Sequence, residues 1–124
     1  MYELLATDEG RARFWAESAI ERDGVISFGF PNGMGTVAPV LEASPPTRYV
    51  LEYLGGPAVF DLMPDGEGGT DLLLEHRGIP EWEWVGTFAG WISVLLALKA
   101  AAQYGVDLRN HDPTRCWDQG YADN

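Results

Sequence analysis

Among the side chains of this 124-residue chain, His76 is the best placed to do chemistry. It lies in the run Thr70–Arg77, where Leu72, Leu74 and His76 alternate with Asp71, Leu73 and Glu75. A β-strand over that run turns the imidazole toward the apolar side. A neutral imidazole there can accept a proton or orient a ligand carbonyl, or it can simply hydrogen-bond a neighbour and stay uncharged. No nucleophile is recognisably paired with it, and Glu75 and Asp61 are expected to face outward. Other constellations fail on spacing. His111, Asp112 and Cys116 lack the repeated Cys/His pattern of a zinc site, so no metal is expected. The loop Gly66-Glu67-Gly68-Gly69 is followed by a strand, without the helix and lysine that a phosphate cradle needs, and no cofactor is implied. Glu81 and Glu83 read as helix-start carboxylates near a positive dipole rather than as an acid/base pair. Cys116, the single cysteine, reads as an exposed or half-buried thiol of no special reactivity.

The elements that must position these groups are legible. Pro80–Gly105 is the one segment long and apolar enough to organise a core. Trp84, Phe88, Trp91, Leu95, Leu98 and Ala102 recur at steps of three and four, the spacing of one helical face. Pro80 suits a first turn and Gly105 a C-terminal stop. A second stripe of Gly86, Gly90, Ser93, Ala97 and Ala101 is small enough for close backbone approach. A helix this apolar is expected to be covered on more than one side. Gly86, Thr87, Gly90, Ser93 and Lys99 interrupt the run, which favours a buried helix over a membrane span.

Ahead of that helix come short helices over Tyr2–Leu5 and around Arg11, then six strand-like runs. These are Glu17–Glu21, Val25–Phe30, Met34–Glu42, Arg48–Leu54, the Ala58–Leu62 run and Thr70–Arg77. Tight turns at Asp23-Gly24, Pro31-Asn32-Gly33 and Gly55-Gly56-Pro57 require antiparallel neighbours, because parallel strands need a long crossover. The fold class is therefore α+β: a curved antiparallel sheet of about six strands around a long C-terminal helix, with short N-terminal helices. One domain spans 1–105, and a polar tail spans 106–124, with Leu108, Trp117 and Tyr121 available to tack it back. Nineteen acidic residues against eight basic ones give a net charge of -11, which repels phosphate backbones and anionic lipid. Neither nucleic acid nor membrane is expected as a partner. The lone cysteine, with no charged-then-apolar signal segment at the start, fits a reducing cytoplasm.

Four local patterns resemble the START-like, or SRPBCC, superfamily, and within it the bacterial proteins similar to the activator of the heat-shock-protein-90 ATPase. They are Tyr2–Gly10 with Arg13-Phe14-Trp15, Glu42–Pro46 with Arg48–Leu51, Gly69-Thr70 before Leu72, Leu74, His76 and Gly78, and Gly90-Trp91 with Leu95, Leu98 and Lys99. The resemblance implies a helix-grip fold with a cavity between the long helix and the concave face of the sheet. Mapped onto the strand alternation, the cavity walls are expected to be Phe28, Phe30, Tyr49, Leu51, Tyr53, Phe60, His76, Trp84 and Trp91, with Trp15 near the mouth. The same side chains could instead simply fill the core. The function implied is binding of a small hydrophobic or aromatic molecule. The alternatives are a co-chaperone-like protein-binding module and a polyketide cyclase-like enzyme with His76 as general base. The family usually opens with a β-strand that pairs beside the last one, whereas here only Met1 precedes the matched segment. Thr70–Arg77 is therefore expected to carry an unpaired edge, and the chain to form a homodimer.

Overall fold

The computed structural model describes residues 1–121. Two short helices, α1 (Tyr2–Ala6) and α2 (Asp8–Arg11), precede six strands. The strands are β1 (Ser18–Arg22), β2 (Val25–Gly29), β3 (Gly35–Ser44), β4 (Arg48–Tyr53), β5 (Gly56–Pro64) and β6 (Thr70–His76). They form one antiparallel sheet in sequential order β1 to β6, the meander that the turns demand. Asp23-Gly24 and Leu54-Gly55 both take positive φ at both positions, which lets two residues reverse the chain between Arg22 and Val25 and between Tyr53 and Gly56. A 3₁₀ turn at Glu81–Glu83 leads into α3 (Trp84–Tyr104), which ends where Gly105 turns left-handed. The α+β class, the strand order and the long terminal helix agree with the sequence reading.

The core centres on Trp15. Its ring lies 4.9 Å from Phe28, 5.5 Å from Tyr53 and 5.8 Å from both Phe60 and Trp91. Rather than sitting near a cavity mouth, Trp15 is 1% exposed and occupies the middle of the concave face. Buried Arg11 brings it there: its guanidinium donates to the carbonyls of Leu5 and Ala19 at 2.9 and 3.1 Å and pairs with Asp8. That ties α1, α2 and β1 together and turns the intervening segment under the sheet. Asp8 also accepts the backbone N–H of Glu21, the main cause of its lowered pKa.

The packing of α3 differs from both stripes expected of it. Its buried residues are Trp91, Val94, Ala97, Leu98, Ala100 and Ala101, so the alanines of the small stripe face the core. Val94 and Leu98 are buried beside these alanines, so the second half of the helix meets the core through a mixture of short and branched side chains. The first turns, Trp84–Gly90, contain no buried residue, with Trp84 58% and Phe88 68% exposed. Coverage on more than one side is thus overturned within a single chain. Glu81–Tyr104 is long and apolar enough to cross a bilayer, and about a third of its most apolar window is buried in the fold.

The tail is anchored by polar groups rather than by Leu108, Trp117 and Tyr121, which are all exposed. Arg109 forks onto Asp107 and donates to the Ala16 carbonyl at 3.2 Å, while His111 Nδ1 meets Glu17 at 2.7 Å. Cys116 is buried, not exposed, and its thiol points at the Asp112 carbonyl. Two predictions follow from this packing. Trp15→Ala should cost about 3–5 kcal/mol in urea unfolding, since no neighbour can collapse into so large a void; a loss below about 1 kcal/mol would displace Trp15 from the centre. The second concerns pH. Hydrogen bonding to Glu17, supported by Asp107, raises the His111 pKa, and burial and Arg109 offset part of the rise. Its contribution is therefore fully present below the ordinary histidine value and is lost as pH rises through the raised one. The melting-point difference between the parent and His111→Gln should be largest near pH 6 and shrink toward pH 8.5.

Candidate functional site

β6 supplies one wall of a groove and the first half of α3 supplies the other. Along β6 the alternation holds: Leu72, Leu74 and His76 are half-buried on the helix side, whereas Asp71, Leu73 and Glu75 are exposed. Glu75 pairs with Arg77, and Asp61 with Arg48, both on the outer surface. Between Leu74 and His76 on one side and Trp84, Phe88, Trp91 and Leu95 on the other lies an open groove of about 740 Å³. Ile79 closes one end, and Trp84 is fixed there by donating its indole N–H to the Ile79 carbonyl at 2.8 Å. A smaller hollow of about 380 Å³, beside Glu3, Glu9 and Arg13 at the other end of the molecule, has no apolar wall of comparable extent.

His76 and Thr87 bring polar side-chain atoms to the groove, and the hydrogen bonds of His76 define its state. Nε2 lies 2.7 Å from the Tyr53 carbonyl and 3.2 Å from that of Gly56, so this nitrogen carries the proton. Nδ1 accepts the Trp91 indole N–H at 2.9 Å. A second ring proton would aim two N–H groups at each other. The ring is therefore a neutral, oriented spacer between β4, β6 and α3, with no lone pair left for a substrate proton. This arrangement removes the basis for His76 as a general base.

Of the ten residues expected to line a cavity, His76, Trp84 and Trp91 line this groove. Trp15, Phe28, Tyr49, Leu51, Tyr53 and Phe60 are instead packed against one another in the core, and Phe30 is half-buried, stacked on Phe28 at 6.5 Å. They face the side that alternation assigned, but Trp15 fills the space they would have enclosed. The tyrosine hydroxyls expected as polar handles are buried with them. Burial pushes the Tyr49 and Tyr53 pKa values up to about 12, with Arg11 and Trp15, respectively, offsetting part of the effect. The Tyr49 hydroxyl lies near Arg11, and the Trp15 indole N–H near Tyr53, but neither has a hydrogen-bonding partner among the described residues. Phe88, Leu74, Leu95 and Ile79 were not singled out as site residues. Phe88 and Leu95 lie on the helical stripe, and Leu74 on the same strand face as His76; those periodicities were the available signal.

No family profile and no curated protein sequence matches the chain. Several solved structures share its fold. A crystal structure of a Staphylococcus saprophyticus protein superposes with a TM-score of 0.73 at 18% identity, over 90% of this chain and 87% of that one. The solution structure of the Aha1 dimer from Colwellia psychrerythraea gives a TM-score of 0.73 at 24% identity, over 84% of this chain and 86% of that one. At these identities the likeness establishes the fold alone, and it agrees with the helix-grip expected over residues 2–105.

The His76–Trp91 bond can be tested directly. Trp91→Phe keeps most of the ring packing but leaves His76 Nδ1 without its donor, and should cost about 1–3 kcal/mol in urea unfolding. His76→Ala should cost a similar amount. An unchanged unfolding midpoint for both variants would mean that the bond does not hold β6 to α3.

Proposed function

We propose that this chain is a cytoplasmic binding protein that takes a small apolar or aromatic molecule into the groove between β6 and the first half of α3. The observation carrying this reading is the groove itself: about 740 Å³, walled by Leu74, Trp84, Phe88, Trp91 and Leu95, with one fixed neutral hydrogen-bonding pair at its floor. Apolar walls around a few oriented polar groups are the usual makeup of a small-molecule site. The net charge of -11 favours neutral over anionic ligands.

The second reading is a protein-binding, co-chaperone-like module. It is favoured by the exposed apolar side chains Trp82, Trp84, Val85 and Phe88, more than a ligand of this size would cover. Association with another copy belongs to the same proposal. The outer side of β6 has no strand beside it among the described residues, and the Colwellia protein of the same fold is a dimer.

Nile red, a neutral flat dye, should bind with a micromolar dissociation constant and a blue-shifted emission. Phe88→Ala removes a largely exposed side chain from the groove wall, so it should leave the fold intact and weaken dye binding about five- to tenfold. Equal affinity in the parent and in Phe88→Ala would remove the groove as the site.

A further inference from the structure

The exposed side of α3, together with the 3₁₀ turn that leads into it, carries an ordered pattern. Trp82, Val85, Ala89, Ile92, Leu96 and Lys99 follow one another at steps of three, four, three, four and three, and every one of them is exposed. Alternating steps of three and four make the seam of a two-helix coiled coil. The spacing is also palindromic about a point between Gly90 and Trp91. We propose that α3 packs along this seam against α3 of a second copy, antiparallel about a two-fold axis at that point.

The symmetry sets Val85 opposite the partner's Leu96 and Ala89 opposite the partner's Ile92. Lys99 lands on the partner's Trp82, between the partner's Glu81 and the partner's Glu83. Lys99 is the chain's sole lysine, and neither it nor Glu81 nor Glu83 has an ion-pair partner among the described residues. The antiparallel pair supplies that partner twice, by symmetry, and adds an ammonium over an indole face. A parallel pair would set Lys99 against Lys99 and the glutamates against each other. Gly86 and Gly90 have nothing within 4 Å of where a Cβ would stand, so a second helix can come close to the backbone beside the seam.

Size and charge both point to a second copy. Trp82, Trp84, Val85, Phe88, Ile92 and Leu96 are between 46% and 84% exposed. Together they leave on the order of 700–800 Å² in water, taking about 150–250 Å² for a whole aromatic side chain, which is one partner's share of a standard interface. A chain with a net charge of -11 can meet itself closely only where its carboxylates are absent, and residues 84 to 98 contain no charged side chain at all. Val85, Ala89 and Ile92 also border the groove, so the partner helix becomes its outer wall. This last point rests on reading the groove as a ligand site; the helix contact does not.

Light scattering over a dilution series, with Nile red fluorescence on the same samples, tests both parts. The parent should be a dimer at tens of micromolar. Lys99→Glu should raise the dimer dissociation constant about tenfold, because two attractions become two repulsions. The exchanged variant Glu81→Lys/Glu83→Lys/Lys99→Glu should bring it back toward the parent value, which an effect on folding alone would not do. A monomeric parent, or a Lys99→Glu dimer as tight as the parent, overturns the contact. So does a parent monomer that co-sediments with neutral phosphatidylcholine vesicles, since lipid would then cover the seam. Dye affinity should fall together with dimerisation. If Lys99→Glu dissociates but binds dye as well as the parent, the partner is not a wall of the groove, although the helix contact stands. If the dimer behaves as described and no dye binds, the ligand reading fails while the contact survives.

Discussion

Arg11 is fully buried, and its guanidinium is committed to the carbonyls of Leu5 and Ala19 and to the Asp8 carboxylate. A buried charge is tolerated only when it is paired and hydrogen-bonded, as here, so the turn around Arg11 has little freedom to rearrange. Everything on the concave face follows from it. With α1, α2 and the start of β1 pinned together, the chain between Arg11 and Ser18 must pass under the sheet, and Trp15 enters the centre. Gly10 reinforces this: a side chain there would strike the backbone of Glu3 and Leu4, so the two short helices meet at closest approach.

The filled centre decides where a ligand or partner can go. The second half of α3 is buried on the core through Val94, Ala97, Leu98, Ala100 and Ala101, whereas its first turns are exposed across the groove from β6. His76 spans that gap. Because both its nitrogens are engaged, one by the Tyr53 carbonyl and one by Trp91, the ring fixes the spacing of strand and helix and leaves a groove open at the edge rather than an enclosed cavity. The groove is then an apolar trough in which both nitrogens of His76 are already engaged.

The same geometry leaves apolar surface in water. Helical segments of this kind gain most of their stability from packing rather than from propensity, and Gly86 and Gly90 make the first turns of α3 poorer helix formers still. The palindromic seam ends in charges of opposite sign that have no ion-pair partner among the described residues, so the proposed contact would cover that surface and close the groove. Ligand binding and self-association would then be coupled through shared side chains, chiefly Val85, Ala89 and Ile92.

Much of this was determined by the sequence alone. Period-two alternation, glycine-bearing turns and one long apolar run specify a sequential antiparallel sheet and a terminal helix, because local backbone geometry permits little else. Alternation also turned Phe28, Tyr49, Leu51, Tyr53, Phe60 and His76 to the correct face. Whether that face encloses space or fills it depended on Trp15, whose place is set by hydrogen bonds from Arg11 to residues on both sides of it in the chain; no periodicity records those. The side of α3 that is buried was likewise decided by tertiary packing. The helix is apolar on most sides, so its own pattern could not choose, and the contacts that bury Trp91, Val94, Ala97 and Leu98 come from elements distant in the chain.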